Sequence, residues 1–267
     1  MKNIPAVSAL EDVSSYDSVI ASSRGLKKTI LFAEKSKVTT TLNGYADAIV
    51  NGTAKPLGFT GDCESFHYSL YDSNSIVIGK LKSDLRKKYS GHNCPYCQID
   101  SVSHIDHFLP RSKFPELSVS LQNLLMSCDT CNSVFKKDIW GNKSQQKFIH
   151  PMLNEISNDV YLVADVDYEE KSIKVDFKIQ TGLALSPLLN RHFLTMDLNA
   201  RYRVRATSIE VPKMSKILAT ESTIPGKTNR LENFVRDQIS VHEQNSMEHA
   251  FYLKVLAMVP AIAGGGL

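Results

Sequence analysis

Two Cys-x-x-Cys pairs, Cys94/Cys97 and Cys128/Cys131, bracket an adjacent carboxylate and imidazole, Asp106-His107. Asn132 follows the second pair directly. Zinc favours four tetrahedral ligands, and each Cys-x-x-Cys turn presents two thiolates to one ion. Four cysteines close the coordination sphere, which is the pattern of a structural zinc and not of a catalytic one. The 30 intervening residues, 98–127, exceed the roughly 15–20 of a simple zinc ribbon. They therefore read as a folded insert whose ends the metal ties together. Within it, a neutral imidazole of ordinary pKa, about 6.5, can accept a proton near neutrality. Carboxylate and amide oxygens are hard donors of the kind that suit Mg²⁺ or Mn²⁺.

The elements that must position these groups follow from local pattern. His104 to Leu109 alternates as a short strand that Pro110 ends. Asp106 and His107 would project to opposite sides of a regular strand, so both serve one site only if the chain bends there. Residues 132–138 start a helix, with Asn132 in a first turn suited to phosphate. Upstream, apolar residues recur at helical spacing through 6–50 and again toward residue 90, with a Gly- and Pro-containing loop at 51–66. Downstream, 159–164 and 172–179 alternate as a strand pair, and 190–259 reads mainly as helices. The fold class is α+β. The expected regions are a mainly helical 1–83, the cysteine-bracketed module 84–150, and a mostly helical α+β region 151–267.

In the module the sequence resembles the HNH endonuclease family in its zinc-stapled form. The family pattern is Cys-x-x-Cys, Asp-His with a nearby Pro, Asn-Leu, then Cys-x-x-Cys-Asn-x-x-Lys. This chain supplies Cys94/Cys97, Asp106-His107 with Pro110, Asn123-Leu124, and Cys128/Cys131-Asn132. The family lysine falls on Phe135, with Lys136 and Lys137 immediately after, a departure of one residue. The resemblance covers about residues 84–150. It implies a ββα fold around one divalent metal, and phosphodiester cleavage leaving 5′-phosphate and 3′-hydroxyl ends. It further implies His107 as general base, Asp106 and Asn132 as metal ligands, and Asn123 as the residue positioning the histidine loop. The run Asp106 to Pro115 looks like that of defence-associated HNH effectors, so an antiphage role under a regulatory partner such as an ATPase is expected.

Arg111, Lys113, Lys136 and Lys137 are the expected phosphate contacts, since such cations bind nucleic acid without reading sequence. Lys80, Lys82, Arg86, Lys87 and Lys88 form a second basic group, and Arg191, Arg201, Arg203 and Arg205 a third. His104 and His150 are secondary candidates for the site, and Cys63 reads as an unremarkable free thiol. The net charge is only +3, so binding must come from local patches. No run approaches a membrane span, and the N-terminus lacks the apolar stretch of a signal peptide. Both point to the cytoplasm, where paired cysteines favour metal over disulfides. DNA is the favoured substrate. Two rival readings stay open: a zinc-stabilised nucleic-acid-binding protein without catalysis, and an HNH-type nuclease acting on RNA.

Overall fold

The computed structural model describes residues 3–141, 145–156 and 159–267. Met1 and Lys2, the first residues of the stretch read as lacking a signal peptide, lie outside them. The chain divides into two compact units, residues 2–155 and residues 156–267.

The first unit begins with α1 (Ala9–Ser22), started by a reciprocal cap. The Ser8 hydroxyl accepts from the Glu11 amide at 3.2 Å, and the Glu11 carboxylate accepts from the Ser8 amide at 3.0 Å. Helices α2 (Gly25–Asn43), α3 (Tyr45–Val50), α4 (Gly61–Ser69) and α5 (Ile76–Lys88) follow. Ser75 caps α5, and Arg86, Lys87 and Lys88 fill its last turn, where cations suit the negative end of the helix. Two short antiparallel strands come next, β1 (His104–His107) and β2 (Leu124–Ser127), paired from His104 opposite Ser127 to His107 opposite Leu124. A short helix, Thr130–Lys136, completes the ββα arrangement.

Leu81 and Leu85 of α5 and Tyr89 pack with Ile105, Leu124 and Met126 of the hairpin into one apolar cluster. Residue 83, where the sequence suggests a boundary, falls inside α5. The helical region and the cysteine-bracketed module therefore share a core, which a strand pair of four residues each could not build alone.

The second unit opens with the expected hairpin, β3 (Leu162–Glu169) and β4 (Ser172–Ile179). Its turn residues Glu170 and Lys171 both take positive φ, 49° and 62°, as a two-residue connection with the natural strand twist requires. Along β4, Ile173, Val175, Phe177 and Ile179 are buried and the residues between them exposed. Helices α6 (Ser186–Thr195), α7 (Leu198–Arg205), α8 (Val211–Ala219), α9 (Ile224–Val241), α10 (Met247–Leu256) and α11 (Val259–Gly265) follow, with a π-type segment, Ala206–Glu210, between α7 and α8. Among the described residues no helix is long and apolar enough to cross a membrane.

Candidate functional site

The four cysteines meet. All are buried, and their sulfur atoms lie within 4.8 Å of one another. Gln98 adopts φ 59° directly after Cys97, which turns the chain back so that the Cys94 amide reaches the Asp100 carbonyl at 2.7 Å. The Ile99 amide points at the Cys97 sulfur and the Cys131 amide at the Cys128 sulfur, each at 3.4 Å. Such donors stabilise thiolate. Cys97 is pulled down by hydrogen bonding to Cys128, while burial pushes the Cys94 thiol up. A group of four buried sulfurs this close together fits a structural zinc ion.

His107 ends β1. Its Nε2 lies 2.8 Å from the Ser118 carbonyl oxygen, which can only accept, so Nε2 carries the proton. The neutral ring then has its lone pair on Nδ1, which has no hydrogen-bond partner among the described residues. Burial lowers the His107 pKa to about 4, so the ring is neutral at physiological pH. The Tyr71 ring meets it edge-on, 4.7 Å between centroids. Asp106, His107, Arg111, Asn132 and Lys137 line one cleft of about 180 Å³. The bend that the strand pattern demanded is present. Beyond His107 the Phe108 amide donates to the Asn123 carbonyl and the Leu109 amide to Asn123 Oδ1, both at 2.8 Å, so the chain curls around Asn123.

Asn123 is fully buried and uses both ends of its amide. Its Oδ1 also accepts from Tyr45 at 2.8 Å, and its Nδ2 donates to the carbonyls of Leu109 (3.0 Å) and Leu117 (3.3 Å). It thereby fixes both ends of the loop between His107 and Ser118. Asp12 of α1 holds the stretch just before it, accepting from the Ser120 hydroxyl at 2.6 Å and the Leu121 amide at 2.7 Å.

Asp106 is 3 % exposed. Its Oδ2 accepts from the Tyr96 hydroxyl at 2.7 Å, and its Oδ1 from Lys136 Nζ at 3.0 Å. Lys136 also donates to the His107 carbonyl at 2.7 Å and is completely buried. The expectation of Lys136 as a surface phosphate contact is thus corrected: its ammonium is turned inward onto Asp106. The one-residue departure from the family spacing has a local cause. The Lys137 amide donates to the Asn132 carbonyl at 2.9 Å, an i→i+5 bond, so Thr130–Lys136 winds with a π-type turn. Such turns accommodate one extra residue per turn. Lys136, four positions on from Asn132, therefore returns beside Asp106.

The Asn132 side chain makes no hydrogen bond among the described residues. With Asp106 it offers two hard oxygen donors on one cleft, a set that fits a Mg²⁺ or Mn²⁺ ion keeping several waters. Both oxygens of Asp106 are already engaged, by Tyr96 and Lys136. Among the described residues, the cysteines are the only cluster of three or more His, Cys, Asp and Glu ligands.

Of the remaining candidates, Arg111 and Lys137 line the cleft. Arg111 pairs with Asp72 at 2.7 Å and sits over the Tyr68 ring at 4.5 Å, and Lys82 lies over Tyr71 at 3.9 Å. Lys113 is exposed and does not line the cleft. In the third basic group, Arg203 pairs with Asp176 and Arg205 with Glu248. His104 is exposed, 3.6 Å from Asp129, and outside the cleft. Cys63 is half-buried on α4, and its carbonyl accepts from His67 Nδ1. Tyr71, Tyr96, Asp12 and the Ser118 carbonyl are contributors that sequence reasoning did not single out.

His150 is a core residue. Nε2 donates to the Gln122 carbonyl at 3.1 Å, Nδ1 accepts from the Met152 amide at 3.3 Å, and Phe108 packs on the ring. Burial lowers its pKa to about 3. The native state therefore keeps it neutral while the unfolded chain binds a proton below about 6.5. Stability from this group is full above pH 6.5 and is lost as the pH falls toward 3. At pH 5 the loss is about 2 kcal/mol. Urea unfolding at pH 7 and pH 5 should show a smaller acid loss in His150→Gln than in the parent. Equal losses in the two proteins would contradict this assignment.

Residues 94–134 match the family model described as HNH endonuclease. This segment, which carries the cysteine group, the strand pair and the Asp-His pair, is thus similar to an HNH endonuclease domain. Curated relatives extend the likeness beyond it. The chain is 30% identical to the protein ea31 of Escherichia phage lambda over 132 residues, 44% of this chain and 42% of that one. It is 36% identical to the Septu protein PtuB of Bacillus thuringiensis over 76 residues (27% and 28%). It is 27% identical to the Septu protein PtuB of Bacillus mycoides strain KBAB4 over 147 residues (49% and 47%). The chain spans less than half the length of each of these relatives. No solved structure matches it.

Proposed function

We propose that this protein is a metal-dependent endonuclease that hydrolyses DNA, with His107 as general base. The observation that carries this reading is the state of His107. Its Nε2–H is fixed on the Ser118 carbonyl, its Nδ1 lone pair has no hydrogen-bond partner among the described residues, and it shares a cleft with Asp106 and Asn132. A base must be neutral to take a proton from water, and this ring is neutral and lines the cleft. Asp106 and Asn132 would hold Mg²⁺ or Mn²⁺. When bound, that ion would polarise the phosphoryl oxygens and balance charge on the leaving oxygen. Asn123 holds the loop that carries both His107 and its carbonyl partner. Arg111 and Lys137 line the cleft and would contact a phosphate backbone there, the Arg111 guanidinium lying over the Tyr68 ring. An ion held by the cysteines would serve as scaffolding, whereas one held in the cleft would take part in the reaction.

The likeness to Septu proteins and the Asp106 to Pro115 run together favour a role in antiphage defence in the cytoplasm, with a regulatory protein partner. Incubating the zinc-loaded protein with plasmid, single-stranded DNA and RNA, in Mg²⁺, Mn²⁺ or neither, tests the central claim. DNA cutting that needs the added ion and is lost in Asn132→Ala is expected. Cutting of RNA alone, or cutting indifferent to the ion, would overturn it.

A further inference from the structure

Among the described residues, Lys136 is the one lysine or arginine that is buried. Lysine is almost never fully buried unless paired. Here the whole side chain is inaccessible, and the ammonium lies 3.0 Å from Asp106 Oδ1 and 2.7 Å from the His107 carbonyl. The fully buried Tyr96 hydroxyl takes the other carboxylate oxygen at 2.7 Å. The carboxylate read as a metal ligand is therefore neutralised from within the fold by a cation of the protein's own.

We propose that Lys136 is an internal counter-ion for Asp106, which it stabilises and for which it competes with a divalent cation. The proposal rests on the reading of Asp106 as a metal ligand. The geometry gives the competition its direction. Tyr96 and Lys136 hold Asp106 from the protein side, and the cleft shared with Asn132 leaves the other approach to an incoming ion. An ion arriving there shares the carboxylate with a positive charge one hydrogen bond away, and the two cations repel each other through a poorly solvated site. The cost of deleting Lys136 is the converse: a buried carboxylate without its counter-charge. Metal affinity and stability without the metal should thus move in opposite directions. Loss of an ion pair with only a structural role would lower stability and leave metal affinity alone. The arrangement also favours joint arrival of metal and substrate, because phosphate oxygens supply the negative charge that Asp106 already shares with Lys136.

The test uses the zinc-loaded full chain and Mn²⁺ as probe, with free Mn²⁺ followed by electron paramagnetic resonance and unfolding followed by thermal melting. Lys136→Met should bind Mn²⁺ about tenfold more tightly than the parent, the lower end of what a unit charge at this distance does to a carboxylate. Its melting temperature without Mn²⁺ should fall, and added Mn²⁺ should raise it more than it raises the parent's. The double variant Asp106→Asn with Lys136→Met should melt above Lys136→Met in the absence of Mn²⁺, since no bare carboxylate remains. Lys136→Gln, which keeps a donor for the His107 carbonyl, supplies the same comparison if the methionine variant does not fold. Mn²⁺ affinity equal to or weaker than the parent's in a folded Lys136 variant overturns the counter-ion proposal alone. Undiminished Mn²⁺ binding in Asp106→Asn, or no binding by any of the proteins, overturns the ligand reading and this proposal together.

Discussion

Alanine in place of His107 is expected to slow DNA cleavage by roughly 10²–10⁴-fold, the range a positioned general base contributes. Binding of DNA should be nearly unchanged, because the ring's hydrogen bond goes to Ser118 and the cationic side chains on the cleft are Arg111 and Lys137. The effect is expected to be large because the ring is prepared rather than merely present. The Ser118 carbonyl fixes the tautomer, Tyr71 walls one side, and Asn123 pins the loop that carries the carbonyl. The same geometry sets the pH dependence. Burial lowers the ring's pKa to about 4, and a protonated ring cannot accept. Cleavage should therefore hold across neutrality and fall as the pH drops through about 4, well below the 6.5 of an exposed histidine. Single-turnover nicking of a plasmid against pH, parent beside His107→Ala, measures both quantities. An alanine variant within tenfold of the parent would remove His107 from the reaction. A fall centred near pH 6.5 would show the ring solvated in the working enzyme.

What could be read from the chain, and what could not, divides along contact distance. The cysteine pairs, the Asp-His doublet, Asn123 and Asn132 announce themselves because their spacing is local and their residue types carry the chemistry. The β3–β4 hairpin shows for the same reason, its alternation matching the strand period. The groups that hold the site in place are distant and ordinary in type. Asp12 lies 108 positions from Ser120, which it fixes, and nothing in α1 marks it apart from other acids on a helix. Tyr71, in the turn before α5, meets His107 where this segment packs against the cluster of α5 and the hairpin. Lys136 misleads for a physical reason: a lysine beside a second lysine reads as solvated surface. Only the π-type turn brings it under Asp106, where burial demands a partner. The boundary expected at residue 83 fails to show as a break because the module is too small to close its own core, and α5 supplies the missing apolar face.

Removing the zinc should have the largest structural effect. Replacing Cys97 and Cys131 by serine takes one ligand from each Cys-x-x-Cys turn. A structural zinc supplies on the order of 10 kcal/mol of apparent binding free energy, and in a small module that is folding free energy. A typical domain has only about 5–15 kcal/mol in total, so the double variant should lose the ordered form of the hairpin region rather than merely soften it. The loss should carry the cleft with it, because each turn leads directly into the site. The first holds Tyr96 between its two cysteines, and Tyr96 anchors Asp106. The second ends one residue before Asn132 and starts the helix that brings Lys136 inward. Metal analysis should find one zinc per chain in the parent and none in the variant. Limited proteolysis should then cut the variant between residues 94 and 134, where the parent resists. If the variant instead keeps the parent's resistance and melting temperature, the apolar contacts of α5 with the hairpin hold the site without help from the metal. The cysteine group would then be an accessory to a core that folds by itself.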